Sequence, residues 1–148
     1  MRGAAGFSLP ELLAVIALMA IAVAIGIPIV NEQVRMAEVR AVADDLVLHL
    51  RAARSLSVTR HHLIHFNIYA DPNNYFEYEG HRGVKQYWMP SRVRIAAGSD
   101  TVIDFRENGS VSAPSTVIIE SDVSGSCERW TATVSTMGRT QLAHERVN

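Results

Sequence analysis

The hydropathy of this chain changes character twice along its length. From Phe7 to Val30 the only charged side chain is Glu11. As a helix that stretch spans roughly 36 Å at ~1.5 Å per residue, enough to cross a hydrocarbon core about 30 Å thick. Beyond Val30 the apolar positions become periodic. Val39, Val42, Leu46, Leu50, Ala53 and Leu56 recur at steps of three and four, with Arg40, Asp44, Asp45, Arg51 and Arg54 on other faces. That spacing predicts an amphipathic helix whose stripe faces a core, and nothing breaks it between Asn31 and Arg60. From His61 onward the period shortens to two. HLIHFNIY, NYFEYE, VKQYWM, RVRIAA, TVIDF, TVIIES and RWTATVS read as strands rich in β-branched and aromatic residues. Asp71-Pro72-Asn73-Asn74, Gly80, Gly83, Asn108-Gly109 and Ser124-Gly125-Ser126 separate them as turns. The expected class is α+β: a long N-terminal membrane-spanning helix packed on a small antiparallel β-sheet domain. Residues 7–30 form its membrane half, 31–60 its amphipathic half and 61–148 a β-rich globular domain that borrows the helix stripe for its core.

The segment ahead of the apolar run carries the chemistry. A secretory signal peptide would place its small-residue cleavage site after a shorter apolar region. Here Ala4-Ala5-Gly6 precedes the run, so the hydrophobic segment stays on the mature chain. Glu11 needs a reason, because a carboxylate at the centre of a membrane helix costs on the order of 3 kcal/mol, and less near an end. One reading is that it snorkels to the interface or caps the helix N-terminus, where the dipole favours negative charge. A second comes from its surroundings. Gly6-Phe7-Ser8-Leu9-Pro10-Glu11 running into LLAVIALMAIAVAIGIPIV resembles the cleavage and methylation signal of type IV pilins and type II secretion pseudopilins. The resemblance implies that residues 1–6 are a leader, that a prepilin peptidase cuts between Gly6 and Phe7, and that Phe7 is N-methylated. It also implies that Glu11 neutralises the N-terminal amine of a neighbouring subunit. The residues alone supply an acid four positions from the future amine, on one helical face.

Two prolines mark the helix. Pro10 stands where the family more commonly has an aliphatic residue. In the cleaved chain its missing N–H would have no intrahelical partner anyway; in the precursor its ring disfavours a continuous helix through Gly6 and biases Leu9 away from the α region. Gly26 and Pro28 lie where a break is expected. A simple kink and the unwinding seen in the resembling filaments are both open readings of them.

The C-terminal half resembles the GspH/FimT group of minor pilins and pseudopilins. Its matching elements are Phe105, Gly109, the Val117–Glu120 run and Gly138-Arg139. This resemblance implies partners: the prepilin peptidase, other pilin or pseudopilin subunits, and an inner-membrane assembly platform. It implies a bacterial inner-membrane precursor crossing once, with the N-terminus cytoplasmic and the C-terminal domain periplasmic. Arg2 ahead of the span agrees with that orientation. Some relatives pair two cysteines, whereas this chain has one, Cys127, and hence no intramolecular disulfide. An unpaired loop thiol and a bridge to another subunit are its two readings.

Charge and histidines bear on the competing functions. A formal net charge of −1 and a pI near 6.6 leave no overall basic footprint for nucleic acid. DNA-binding FimT-like members use a basic stretch after Gly-Arg. Here Thr140 and Gln141 follow Arg139, and Arg146 stands isolated near Asn148. Arg139 and Arg146 are the candidate DNA contacts, with Arg129 as a potential neighbour. His61 and His65 share a strand face but lie about 13 Å apart on it, too far for one metal ion, so solvated histidines at a helix-to-strand junction are expected. With no Ser/His/Asp set, paired carboxylates or phosphate loop, the reading is no enzyme, no cofactor and no metal. The expected function is a cleaved, N-methylated minor pilin or pseudopilin that joins or primes a type IV pilus or a type II secretion pseudopilus. A DNA-capturing minor pilin for natural transformation is the alternative within the filament. A non-polymerising, membrane-tethered periplasmic binding domain is the alternative outside it, and Glu11 and the Gly6–Phe7 junction argue against that.

Overall fold

The computed structural model describes residues 9–70, 72–121 and 127–147, with only the backbone described at Gly26, Pro28, Ile29, Glu32, Cys127, Arg146 and Val147. It contains one long helix, α1 (Leu9–Arg60), and eight strands: β1 (Ile64–Tyr69), β2 (Tyr75–Gly80), β3 (Gly83–Trp88), β4 (Val93–Ile95), β5 (Val102–Phe105), β6 (Ser115–Ser121), β7 (Cys127–Val134) and β8 (Thr140–Val147). The chain divides into two compact units, Met1–Val34 and Arg35–Asn148. The α+β class read from the sequence is the class observed.

In the second unit the helix buries the stripe its spacing predicts. Val39, Val42, Ala43, Leu46, Leu50 and Ala53 are essentially without solvent contact. Leu56 is only partly buried, and the next fully buried position on the stripe is Ser57. Its hydroxyl is satisfied by donating to the Arg54 carbonyl at 2.8 Å, so the polar side chain causes no loss there. His61, just past the helix end, takes φ 52°, the left-handed conformation that stops a helix and releases the chain into β1.

The strands form two four-stranded sheets rather than one, in the orders β3-β2-β1-β5 and β4-β6-β7-β8. Every pairing is antiparallel. The strict alternation in β1 sends Ile64, Phe66 and Ile68 inward and leaves His65, Asn67 and Tyr69 on the outer face. Phe76, Tyr78, Ile103 and Phe105 complete the inner side of that sheet, while Val93, Ile95, Val117, Ile119, Ala132 and Val134 line the other. All share one core with the helix stripe. Asn74, with φ 49°, ties the sheets together at the β1–β2 turn. Its amide donates to the Val93 carbonyl, and its carbonyl accepts from the Ile95 N–H at 3.1 Å.

Seven of the strands follow the period-two segments of the sequence. The eighth, β8, is an addition. It begins at Thr140, so Arg139 belongs to the turn before it.

Candidate assembly site

The first unit presents the feature most easily tied to assembly. Glu11 sits in the first turn of α1, and every side chain described between Leu9 and Val30 is exposed. Leu9, Leu12, Leu13, Ile16, Leu18, Met19, Ile21, Val23, Ile25, Ile27 and Val30 are all at least half open to solvent. A helix apolar all round is built to be buried by something else. Among the described residues no helix is long and apolar enough to cross a membrane. Side chains are described without a break only from Leu9 to Ile25, short of the ~20 residues a span needs. The expected span over 7–30 extends past them, since Phe7 and Ser8 lie outside the described residues and Gly26, Pro28 and Ile29 are described only as backbone. Gly6 and the Gly6–Phe7 junction also lie outside. The helix continues through Gly26 and Pro28. Glu11 has no hydrogen-bond or ion-pair partner among the described residues, so its carboxylate is available to a group from elsewhere.

In the second unit a half-buried polar cluster fixes the helix against β2 and β3. His49 lies among Phe76, Tyr78 and Tyr87, with ring centroids 5.3, 5.6 and 5.5 Å away. Its Nδ1 is 3.0 Å from the Tyr78 hydroxyl. One helical turn earlier, Asp45 accepts a hydrogen bond from the Tyr87 hydroxyl at 2.8 Å. Burial together with that bond pushes the Tyr87 phenol up to about 12, and burial also raises Tyr78. His49 is shifted down, mainly by burial. Asp45 opposes the shift and Lys85 adds to it.

The lowered His49 pKa has a definite sign for stability. The unfolded chain binds the proton more readily, so stability is full above the ordinary histidine value of 6.5 and falls as pH drops through the lowered folded value. Denaturant unfolding between pH 7.5 and 5 should show this loss, with a shallower slope for His49→Gln. Equal slopes would mean the His49 proton is not linked to folding.

Gly109 and Gly138 in the C-terminal half are brought together. Both have positive φ, 75° and 71°, and a Cβ on Gly138 would lie 2.0 Å from the Gly109 carbonyl oxygen. Arg54 reaches across from α1 and donates its Nε–H to that same carbonyl at 3.1 Å. Val111 N–H adds a bond to the Thr136 carbonyl at 3.0 Å. The two turns and the helix therefore form one knot that joins the ends of both sheets.

The candidate DNA contacts are not brought together. Arg139 is exposed in the turn ahead of β8, while Arg146 lies near the far end of that strand opposite Glu128. Seven residues of extended chain separate them by about 20 Å or more. Arg129 is engaged instead by Glu120, at 2.6 Å, a carboxylate that also faces Arg94 at 3.7 Å. The histidines disperse in the same way. His65 is 2.7 Å from Asp104 across the β1–β5 pair, and His62 faces Glu79 at 3.7 Å. Among the described residues no three potential metal ligands converge. The side chain of Cys127 lies outside the described residues.

With this geometry in place, the described chain has an exposed apolar helical segment, Leu9–Val30, and a small α+β domain. The family model for the prokaryotic N-terminal methylation motif matches residues 1–27. The type IV minor pilin FimU of Pseudomonas aeruginosa PAO1 superposes with a TM-score of 0.59 at 17% identity, covering 73% of this chain and 90% of FimU. The minor pseudopilin EpsH from the type 2 secretion system of Vibrio cholerae does so with 0.55 at 14% identity, covering 72% and 96%. No curated protein matches the sequence. The chain thus carries the prokaryotic N-terminal methylation motif and shares the fold of these two solved proteins.

Proposed function

We propose that the chain is a subunit of a helical filament, either a type IV pilus or a type II secretion pseudopilus. It is made as an inner-membrane precursor with its N-terminus in the cytoplasm and its C-terminal domain in the periplasm. A prepilin peptidase removes residues 1–6, and Phe7 is N-methylated. Other pilin or pseudopilin subunits and an inner-membrane assembly platform are its partners. Its work is structural, with no reaction catalysed. The observation that carries this reading is the stretch of α1 from Leu9 to Val30, apolar all round and exposed wherever its side chains are described, which begins inside a methylation motif and has Glu11 as its one acid. Bundling such helices buries the apolar surface, and each Glu11 pairs with a neighbour's Phe7 amine. Unwinding near Gly26 and Pro28 belongs to the assembled state in this reading.

The test is processing. Co-expression with an active prepilin peptidase should leave a chain beginning at Phe7, heavier than the bare cleaved product by about 14 Da for the methyl group. Intact mass and N-terminal sequencing read both. A mature chain that still carries residues 1–6 would refute the proposal.

A further inference from the structure

We propose that the outer face of the first sheet, at its Trp88 end, binds neutral carbohydrate, with a sugar ring packed on the open face of Trp88. Strand register sets Tyr69 opposite Tyr75 and Tyr75 opposite Trp88. The three rings stack in a row with centroids 4.5 Å apart at each step and interplanar angles of 19° and 29°. Tyr75 is covered on both faces by its neighbours. Trp88 is covered on one face only, because β3 is the edge strand, and it is 62% exposed. Cross-strand stacking accounts for the tyrosine pair. It gives no reason for a large indole at a sheet edge, a place usually blunted by charge or proline.

The next row on the same face supplies polar partners. Gln86 lies opposite Glu77, and Glu77 opposite Asn67. The Glu77 carboxylate accepts from Gln86 Nε2 at 2.8 Å and from the Tyr69 hydroxyl at 3.0 Å. It is thus fixed in place before any ligand arrives, with lone pairs to spare. Rows on one face of a strand are about 7 Å apart, a spacing that one hexopyranose ring with its hydroxyls covers. The C–H face of such a ring packs on an indole, while its hydroxyls meet the carboxylate and amides.

Charge selects among ligands that stack on aromatic rows. A single-stranded nucleic acid would also stack, but it needs cations along its backbone. Glu77, Glu79 and Asp104 stand on this face, and the outward positions of β1, β2, β3 and β5 include no lysine or arginine. His65 on β1 faces Asp104, and Arg60 and His62, which reach in from the end of the helix, are both met by Glu79 at 3.5 and 3.7 Å. A polyanion is therefore repelled and a neutral polyol is not. The shallow cleft beside Tyr69, bordered by Asn73, Thr101 and Val102, continues the mixed apolar and polar surface past the far end of the row and suits an oligosaccharide.

The experiment uses the full chain, ¹⁵N-labelled, in a detergent without a sugar headgroup. The two indole N–H signals, from Trp88 and Trp130, are assigned with Trp88→Phe. Maltohexaose, cellohexaose and chitohexaose are titrated in turn, with a thymidine decanucleotide as the polyanion. At least one neutral hexaose should shift the Trp88 signal saturably and leave Trp130 in place. Trp88→Ala should weaken that binding about tenfold or more, and Glu77→Ala, which keeps the indole, should weaken it several-fold. Three results would overturn the proposal. These are no shift with any hexaose up to about 10 mM, preferential binding of the decanucleotide, or a Trp88 shift that tracks protein concentration and so reports self-association.

Discussion

Replacing Gly138 with alanine should destabilise the domain by about 3 kcal/mol or more, one of the larger effects a single methyl group can have. The added Cβ would sit 2.0 Å from the Gly109 carbonyl oxygen and 2.8 Å from Arg54 Nε, distances no side-chain adjustment relieves because the first contact is backbone. The φ of 71° adds roughly 1 kcal/mol for any residue with a Cβ. Moving the backbone apart would break the Arg54–Gly109 bond and loosen the contact that joins α1 to both sheets. Gly98→Ala is the internal control. Its φ is 88° with nothing within 4 Å of the new atom, so it should cost only the backbone term. Thermal unfolding followed by near-ultraviolet circular dichroism separates the two. If Gly138→Ala melts no lower than Gly98→Ala, the crowding at the turn is not real.

That contact also shows where sequence reading stops. The stripe Val39–Ala53 was legible because helix burial depends on neighbours three and four residues away, and the same local logic gave seven strands. Strand β8 escaped it. Thr140–Val147 alternates weakly, with Gln141, His144, Glu145 and Arg146 among its eight residues, because it is an edge strand whose Leu142 is only partly buried. The division into two sheets escaped for another reason. β5 pairs with β1, and β4 with β6, choices set by the packing of the whole core rather than by the segments themselves. Gly109 was visible as a turn residue and Gly138 as part of the Gly138-Arg139 element of the resemblance, but Arg54 lies 55 positions from Gly109, and no local pattern announces such a partner. The aromatic row was hidden similarly. NYFEYE and VKQYWM showed strands, while only register placed Tyr75 between Tyr69 and Trp88. At the N-terminus the reverse holds: the motif is explicit in sequence, and its Gly6 and Phe7 lie outside the described structure.

Glu11→Ala should leave membrane insertion intact or ease it, since it removes a charge that opposes burial in lipid, yet it should reduce incorporation into filaments at least tenfold. On the proposed function, the methylated Phe7 amine of one subunit and the Glu11 carboxylate of another would neutralise each other away from water in the helix bundle. Breaking a buried ion pair by deleting one member costs about 3–5 kcal/mol, because the remaining charge is stranded. Cleavage at Gly6 should largely persist, so mature chain accumulates in the membrane while sheared filaments lack it. Glu11→Gln distinguishes pairing from simple helix capping. An amide keeps the shape and some hydrogen bonding but cannot neutralise an amine, so the pairing reading expects it to fail nearly as badly as alanine. A capping carboxylate is worth only about 0.3–1 kcal/mol of helix stability, and its loss would barely alter assembly. Immunodetection of membrane and sheared fractions, normalised to the cleaved form, gives the comparison. Near-wild-type incorporation of fully cleaved Glu11→Gln would assign Glu11 to the cap and remove the ion pair from the assembly mechanism.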